Sequence, residues 1–352
     1  DISVIGGSLS NFTGSGKNYS AVLTPTSDGI TRVNVVGGQF TDLAGNSNLS
    51  SSQFSWTYDG TSPTIEISSS TVSSGSSTND SSITLDFNLS ENSINFQASD
   101  ITVTNGSVSD FTTHSGSNYS AKITPTSDGL LSIAVSDGAF TDSYDNPNFA
   151  SSPFLWNYDG TSPTVSISSP FVSNGSVTNL ESLRINFLVS ETTNFDENNI
   201  EVTGGTLSGF SNSDSGYYAF FEPQDGTSNI KIRSNQFSDS VGNLNLSNTE
   251  FTFEYDGTPP SMTISTNDVD EGGSTNRSEI FLTFSFDESV VGLNNEDFQL
   301  TNGSLTNFGG TGSTYSAKFL PSATDNECII RLVAGTYSDS AGNLNEDIDE
   351  FR

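Results

Sequence analysis

The stretch WTYDGTSPT, Trp56 to Thr64, returns as WNYDGTSPT from Trp156 to Thr164 and as FEYDGTPPS from Phe253 to Ser261. Its aspartates fall at 59, 159 and 256, so the repeat is 100 residues long and then 97. A self-similar period of that length exceeds the roughly 20–50 residues of a solenoid unit. It matches one small β-sandwich of about 100 residues, each with its own core. Other phrases keep the same beat. NYSAVLTPTSDG from Asn18 answers NYSAKITPTSDG from Asn118 and YSAKFLPSATDN from Tyr315. FTDLAGNSN from Phe40 answers FTDSYDNPN from Phe140, FSDSVGNLN from Phe237 and YSDSAGNLN from Tyr337. DISV at Asp1 answers DITV at Asp100 and DFQL at Asp297.

Within one unit the strands are short and punctuated. TIEISSS from Thr64 alternates, and SITLDFNLS from Ser82 places Ile83, Leu85, Phe87 and Leu89 on one face, the clearest period-2 signal in the chain. DITVTNGSVSDF, Asp100 to Phe111, reads as two strands about Asn105-Gly106, a dipeptide that signals a hairpin. NYSAKITPT, the tight turn Ser127 to Gly129, LLSIAVSDGAF and PFLWNYD complete the unit. Trp156, with Trp56 and Phe253 in the matching places, is expected to pack inside. No segment holds a 3.6-residue period, so no helix longer than a turn is expected, and no apolar run approaches the roughly 18 residues of a membrane span. The expected fold is all-β, with tandem immunoglobulin-like β-sandwich domains arranged as an elongated rod. The frame divides the chain into 1–59, a domain without its first two strands, then 60–159, 160–256, and 257–352, whose last strand is cut short at Asp349 to Arg352. Gly60 to Ser99, the forty residues before Asp100, have no counterpart ahead of Asp1. The expectation is a window on a longer chain; the other reading is a subunit that polymerises by strand addition, but neither end carries a spare copy of the strand the other lacks.

Charge narrows the function. There are 10 basic against 42 acidic residues, a net charge of −32, which repels nucleic-acid phosphates and anionic lipid. Neither nucleic acid nor direct membrane insertion is expected. Cys328 is alone, so no intrachain disulfide can stiffen the fold, and its place in the apolar stretch ECIIRLVAG suggests a buried, inert thiol. The single histidine, His114, sits in the polar turn FTTHSGSN, and no nucleophile-elbow, zincin or phosphate-loop phrase occurs. The chain is not expected to be an enzyme.

The acids fall in a pattern. In a seven-strand sandwich the linker, the loop after the second strand and the loop before the last strand lie at one end. The linker contributes Asp59, the second contributes Glu91 and ends at Asp100, and the third contributes Asp142 with Asp145 and Asn146 behind it. Asp28, in the preceding unit's Ser-Asp-Gly turn, faces the same junction. The later repeats offer Asp159, Glu191, Asp196 and Asp239, then Asp256, Glu288, Asp297 and Asp339. Carboxylates and carbonyls gathered in loops suit Ca²⁺, which takes about six to eight oxygen ligands. The competing reading makes these aspartates Asx-turns and the glutamates solvated loop ends. On either reading Gly60 is expected to allow an unusual φ and Pro63 to stiffen the approach to the next strand.

Ser90-Glu91, Asp100 to Gly106, Tyr119 to Pro125, Asp128-Gly129, Asp142, Asn146 and Tyr158 to Pro163 together resemble the bacterial Ig-like tandem repeats of giant extracellular adhesins and biofilm surface proteins. The resemblance covers essentially the whole chain. It implies a cell-surface or virion-surface location and calcium at domain junctions. It also implies a structural role as stalk, adhesin segment or filament, with neighbouring repeats as partners and any glycan or protein receptor engaged by regions outside this chain. The third repeat departs most: YYAFFEPQDG replaces the usual phrase, and Asn199 stands where Asp100 and Asp297 do. Two other accounts use the same modules, a glycan-binding repeat gripping sugar through aromatics such as Tyr144 and Tyr217, and a virion fibre.

Overall fold

The computed structural model describes residues 1–213, 216–322, 326–346 and 350–352. It divides into two compact units, Asp1–Thr161 and Ser162–Arg352.

In the first unit, the second repeat is a sandwich of two four-stranded sheets. One runs Gly106–Thr113, Asn118–Pro125, Ile83–Leu89, Ile65–Ser68, all antiparallel. The other runs Ser77–Thr78, Phe154–Tyr158, Gly129–Val135, Ile101–Thr104, with the two-residue strand Ser77–Thr78 joined parallel. Alternation decides the packing: Ile83, Leu85, Phe87 and Leu89 turn inward from one sheet to meet Leu131, Ile133 and Trp156 from the other. Phe87, Ile133 and Trp156 are 0% exposed. The indole of Trp156 donates its Nε1–H to Thr78 Oγ1 at 3.1 Å, which satisfies the ring's one polar atom inside the core.

The first repeat contributes a hairpin, Gly7–Ser15 with Asn18–Pro25, and a three-stranded sheet of Ile2–Ile5, Gly29–Val35 and Phe54–Tyr58. Among the described residues, no strands stand opposite in the places that Ile65–Ser68 and Ile83–Leu89 fill in the second repeat. Trp56 is accordingly only half-buried, where its counterparts Trp156 and Phe253 are fully covered.

The second unit repeats the plan. Val165–Ser168, Leu183–Val189, Gly216–Pro223 and Gly205–Ser213 face Val177–Thr178, Thr249–Tyr255, Gly226–Ile232 and Ile200–Thr203. The fourth repeat has Met262–Ser265, Ile280–Phe286, Thr314–Pro321 and Gly303–Thr311 against Phe298–Thr301 and Ile329–Leu332. Phe351 forms an isolated antiparallel bridge with Ile330; Asp349 lies outside the described residues. Each repeat from the second onward keeps a separate apolar core.

Two expectations change. Asn105-Gly106 is not a hairpin. Ile101–Thr104 pairs with Gly129–Val135, whereas Gly106–Thr113 pairs with Asn118–Pro125, so the dipeptide is a corner where the chain crosses between sheets. Asn105 takes φ +58°, and its carboxamide accepts from the Thr126 and Ser127 hydroxyls and donates to the Ser127 carbonyl, pinning the corner to the next turn. Cys328 is half-buried rather than buried, with its Sγ 3.4 Å from the Asn302 carbonyl; burial pushes its thiol pKa up.

Phe87→Ala removes a ring that touches the centre of the second core and is expected to lower stability by about 3–5 kcal/mol in denaturant unfolding. A loss below about 1 kcal/mol would mean the strand does not bury this face.

Candidate metal centre

The linker motif holds its shape by contacts that explain each letter. Tyr58 folds its ring back over Gly60: a Cβ on Gly60 would sit 2.6 Å from the Tyr58 hydroxyl oxygen. The same placement recurs at 2.2 Å for Gly160 under Tyr158 and 2.6 Å for Gly257 under Tyr255. None of these glycines has positive φ, so glycine is required here by close approach and not by an unusual backbone angle. The aspartate turns its Oδ1 to the following threonine N–H, at 3.1 Å for Asp59 and Thr61 and 3.1 Å for Asp256 and Thr258. The prolines Pro63, Pro163 and Pro260 are buried.

The preceding repeat grips the linker through its Ser-Asp-Gly turn. Gly60 N–H donates to Asp28 Oδ1 at 2.8 Å, and the Thr61 hydroxyl donates to Asp28 Oδ2. These bonds, the hydroxyl's first, hold Asp28 below the usual aspartate range. Asp128 makes the same pair of bonds to Gly160 and Thr161, and Asp225 accepts from Gly257 N–H at 2.9 Å.

The following repeat supplies two loops. The one between Gly129–Val135 and Phe154–Tyr158 is an Asx-knot. Asp142 Oδ1 accepts the N–H groups of Tyr144 and Asn146, and its Oδ2 accepts the Asn146 side chain at 2.8 Å. The turn needs a left-handed residue, which is Asp145 at φ +69° here and Gly242 and Gly342 at +98° and +96° in the later repeats. Asn146 Nδ2 also donates to the Asp59 carbonyl at 3.2 Å, and Asn343 Nδ2 donates to the Asp256 carbonyl at 2.7 Å. The loop is thereby tied to the linker. The other loop, after Ile83–Leu89, delivers Glu91, and Ser93 in it bridges to Asp142.

Carboxylate oxygens of Asp59, Glu91 and Asp142 consequently lie within 4.8 Å of one another, as do those of Asp256, Glu288 and Asp339. Asp142 and Asp339 are buried at 1% and 2% exposure, and their partners are half-buried. Burial raises the Glu91 pKa first, and the charges of Asp59, Asp142 and Asp28 raise it further. Glu288 is raised by burial and then by Asp339, Asp256 and Asp287. Burial also pushes Asp142 upward, but the bonds from Asn146 and Tyr144 outweigh it and hold that carboxylate below its usual range. In the third repeat Asp239 is knotted to Asn243 in the same way, Glu191 follows the matching strand, and Asp159 Oδ1 accepts from Thr161 N–H in the same manner as Asp59.

Asp100, Asp196 and Asp297 are not among these groups. Each sits at a one-turn 3-10 helix and caps it. Asp100 Oδ2 accepts Gln97 N–H at 2.9 Å, Asp297 Oδ2 accepts Asn294 N–H at 2.7 Å, and Asp196 Oδ1 accepts Asn198 N–H at 2.9 Å. Sequence reasoning had no way to see the asparagine bond to the linker carbonyl, because nothing in the phrase Gly-Asn or Asp-Asn says what lies across the junction. The Asx-turns and the acidic cluster turn out to be one object: the turn bonds engage part of each aspartate and leave carboxylate oxygen facing its neighbours. An all-oxygen donor set without His or Cys suits a hard divalent cation, with the remaining ligand positions open to water.

A family model for the bacterial Ig-like domain matches four times, at residues 1–58, 59–155, 159–255 and 256–351. Among solved structures, the chain is similar to invasin, a bacterial integrin-binding protein, at 14% identity and TM-score 0.40, covering 95% of this chain and 66% of that one. InvD of Yersinia pseudotuberculosis is similar at 13% identity and TM-score 0.34, covering 82% of this chain and 96% of that one. No curated protein sequence matches.

Glu91→Gln removes the carboxylate that carries the repulsion. In chelator the variant is expected to melt above the parent chain. The sign follows from linkage. A carboxyl whose folded pKa is raised binds more protons folded than unfolded, so stability falls as pH rises through the raised range. The advantage of Glu91→Gln should therefore grow as pH rises from the ordinary glutamate range and level off above the raised range. Melting curves across pH check it, and a variant less stable than the parent at neutral pH in chelator would contradict it.

Proposed function

We propose, for a chain that belongs to the bacterial Ig-like domain family, that it is a structural segment of an extracellular bacterial stalk or adhesin whose repeat junctions are stiffened by Ca²⁺. The family fold supplies identical modules in series, and no helix among the described residues is long and apolar enough to cross a membrane. The observation that carries the calcium reading is the triad at the linker. One carboxylate comes from the linker itself and two from loops of the next repeat, so a cation bound there ties three segments at one point. The hydrogen bonds already present link the preceding repeat to the linker through Asp28, and the linker to the following repeat through Asn146. They leave the charge repulsion unrelieved. A divalent ion converts that repulsion into attraction and fixes the angle at which the linker leaves.

An ion that binds only the folded state stabilises by mass action, about 2.7 kcal/mol when free ion exceeds Kd about 100-fold. Calcium is expected to raise the melting temperature and to make the small-angle scattering profile more sharply defined than in chelator. Asp59→Asn should diminish the response of the first unit while Phe87 and Trp156 stay buried. Because protons compete for the carboxylates, calcium affinity should fall as pH drops into their titration range. Scattering and melting profiles identical with calcium and with chelator would refute the proposal.

A further inference from the structure

The third repeat carries an outer face unlike its siblings. On Leu183–Val189, residues Leu183, Ile185 and Phe187 are 0% exposed, so Arg184, Asn186 and Leu188 point to the opposite, solvent side. On Gly216–Pro223, Ala219 and Phe221 point in, so Tyr218, Phe220 and Glu222 point out. Register places Tyr218 beside Asn186 and Phe220 beside Arg184, with Ser208 and Ser211 on the next strand. The Arg184 guanidinium stacks over the Tyr218 ring, its carbon 4.4 Å from the centroid, and the Phe220 ring stands at 83° to that of Tyr218. Phe220 is 44% exposed and Leu188 57%. Tyr217, by contrast, packs inward against Phe195 and Phe210, and so is not a surface aromatic.

The equivalent places elsewhere are filled differently. In the second repeat Thr84, Ser120 and Lys122 occupy the positions of Arg184, Tyr218 and Phe220. In the fourth they are Phe281, Ser316 and Lys318; that lysine also lies over an aromatic ring, 5.1 Å from the Phe281 centroid, but it is paired with Glu279 and has no second aromatic beside it. Most charged pairs of the second unit follow the same habit: Lys231 pairs with Glu250, Arg233 with Glu201 and Arg277 with Asp268. Arg184 differs. No carboxylate among the described residues pairs with it, and its buried Nε–H has no acceptor. Stacking fixes the plane of the guanidinium while leaving its donors uncommitted. Lys122 and Arg32 of the first unit are likewise without an ion pair among the described residues, but Arg184 alone is held flat on a ring, and a guanidinium so held selects a carboxylate in a planar two-bond geometry.

We propose that this face binds a glycan in which a carboxylated pyranose unit is flanked by neutral ones, since a run of carboxylates would be repelled by the chain's net charge of −32. The sugar carboxylate meets Arg184, the apolar C–H face of that ring lies on Phe220, a neighbouring neutral unit reaches Leu188 four residues along the strand, and the hydroxyls find Asn186, Ser208 and Ser211. A protein partner would need a wider continuous apolar area than these two exposed side chains offer, whereas a rigid aromatic ringed by hydroxyl and amide groups suits a sugar. The face is distinct from the carboxylate triads and does not depend on the calcium reading.

The test is titration calorimetry of the full chain in chelator with a neutral oligosaccharide that carries one glucuronate unit and with its carboxyl-reduced counterpart. The control is Arg184→Thr/Tyr218→Ser/Phe220→Lys, which installs the residues that the second repeat carries on the same strands and so keeps the sheet. The glucuronate-bearing sugar is expected to bind the parent chain, and the triple variant and the neutral sugar are expected to give binding at least about tenfold weaker. Equal binding to the variant, equal binding of the neutral sugar, no binding of the glucuronate-bearing sugar, or self-association of the parent chain through this face in sedimentation would each overturn the assignment. Measuring in chelator keeps the outcome separate from that of the calcium proposal.

Discussion

Three carboxylates held within 4.8 Å of one another set the terms for everything around the linker. At that separation the gross repulsion of one ionised pair runs from about 1 kcal/mol in bulk water to about 3.5 kcal/mol at the effective dielectric of a protein surface. A loop free to move would relax it by opening. These loops cannot. Asp142 is anchored by three hydrogen bonds within its own turn, and the same asparagine that closes the turn holds the linker carbonyl. The tyrosine ring over the glycine and the grip of the preceding repeat's aspartate hold the linker from the other side. The fold therefore stores negative charge at a fixed point. Glu91 and Glu288, the members raised in pKa, register that storage most directly.

The sandwich makes this rigidity affordable because the cores do not depend on the junction. Each complete repeat closes its own apolar cluster, with Trp156 or Phe253 under the strand that leads out to the linker. The tyrosine of the linker motif, two residues after that aromatic, borders the same core, so the last turn of strand and the first turn of linker are continuous. A change at the triad is felt at the linker first and at the sandwich second.

What could be read from the sequence follows the range of the interaction. Ile83, Leu85, Phe87 and Leu89 announce an inward face because alternation is a local property of a strand, and the repeat length fixes the domain size without any structure. Partnership between strands is not local. Asn105-Gly106 has the composition of a hairpin and makes a corner instead, since the choice rests on pairings further along the chain, of Thr104 with Ser132 and of Gly106 with Pro125. Gly60 was recognisable as an obligatory glycine, but its reason lies in a ring two residues back that folds over it. Asp100, Asp196 and Asp297 look like loop acids in a linear reading, and only the one-turn helices beside them reveal that they are caps.

Internal repetition offers a control that a single domain lacks. A position filled alike in every repeat must serve what every repeat shares, which is the sandwich and its junction. The buried asparagines Asn148, Asn245 and Asn345 are of that kind: each accepts one or two N–H groups and donates to carbonyls twelve residues earlier, and none faces solvent. A position where one repeat departs serves something that repeat alone does. By that criterion Arg184, Tyr218 and Phe220 carry more functional information than any repeated acid. The fourth repeat also sets a cation over an aromatic at two of these places, Lys318 over Phe281, but pairs that lysine with Glu279; the third sets an unpaired arginine on one of two adjacent aromatics. The third repeat alone has its cation both stacked on a ring and without a carboxylate partner among the described residues, which leaves the guanidinium oriented to meet a carboxylate from outside the chain.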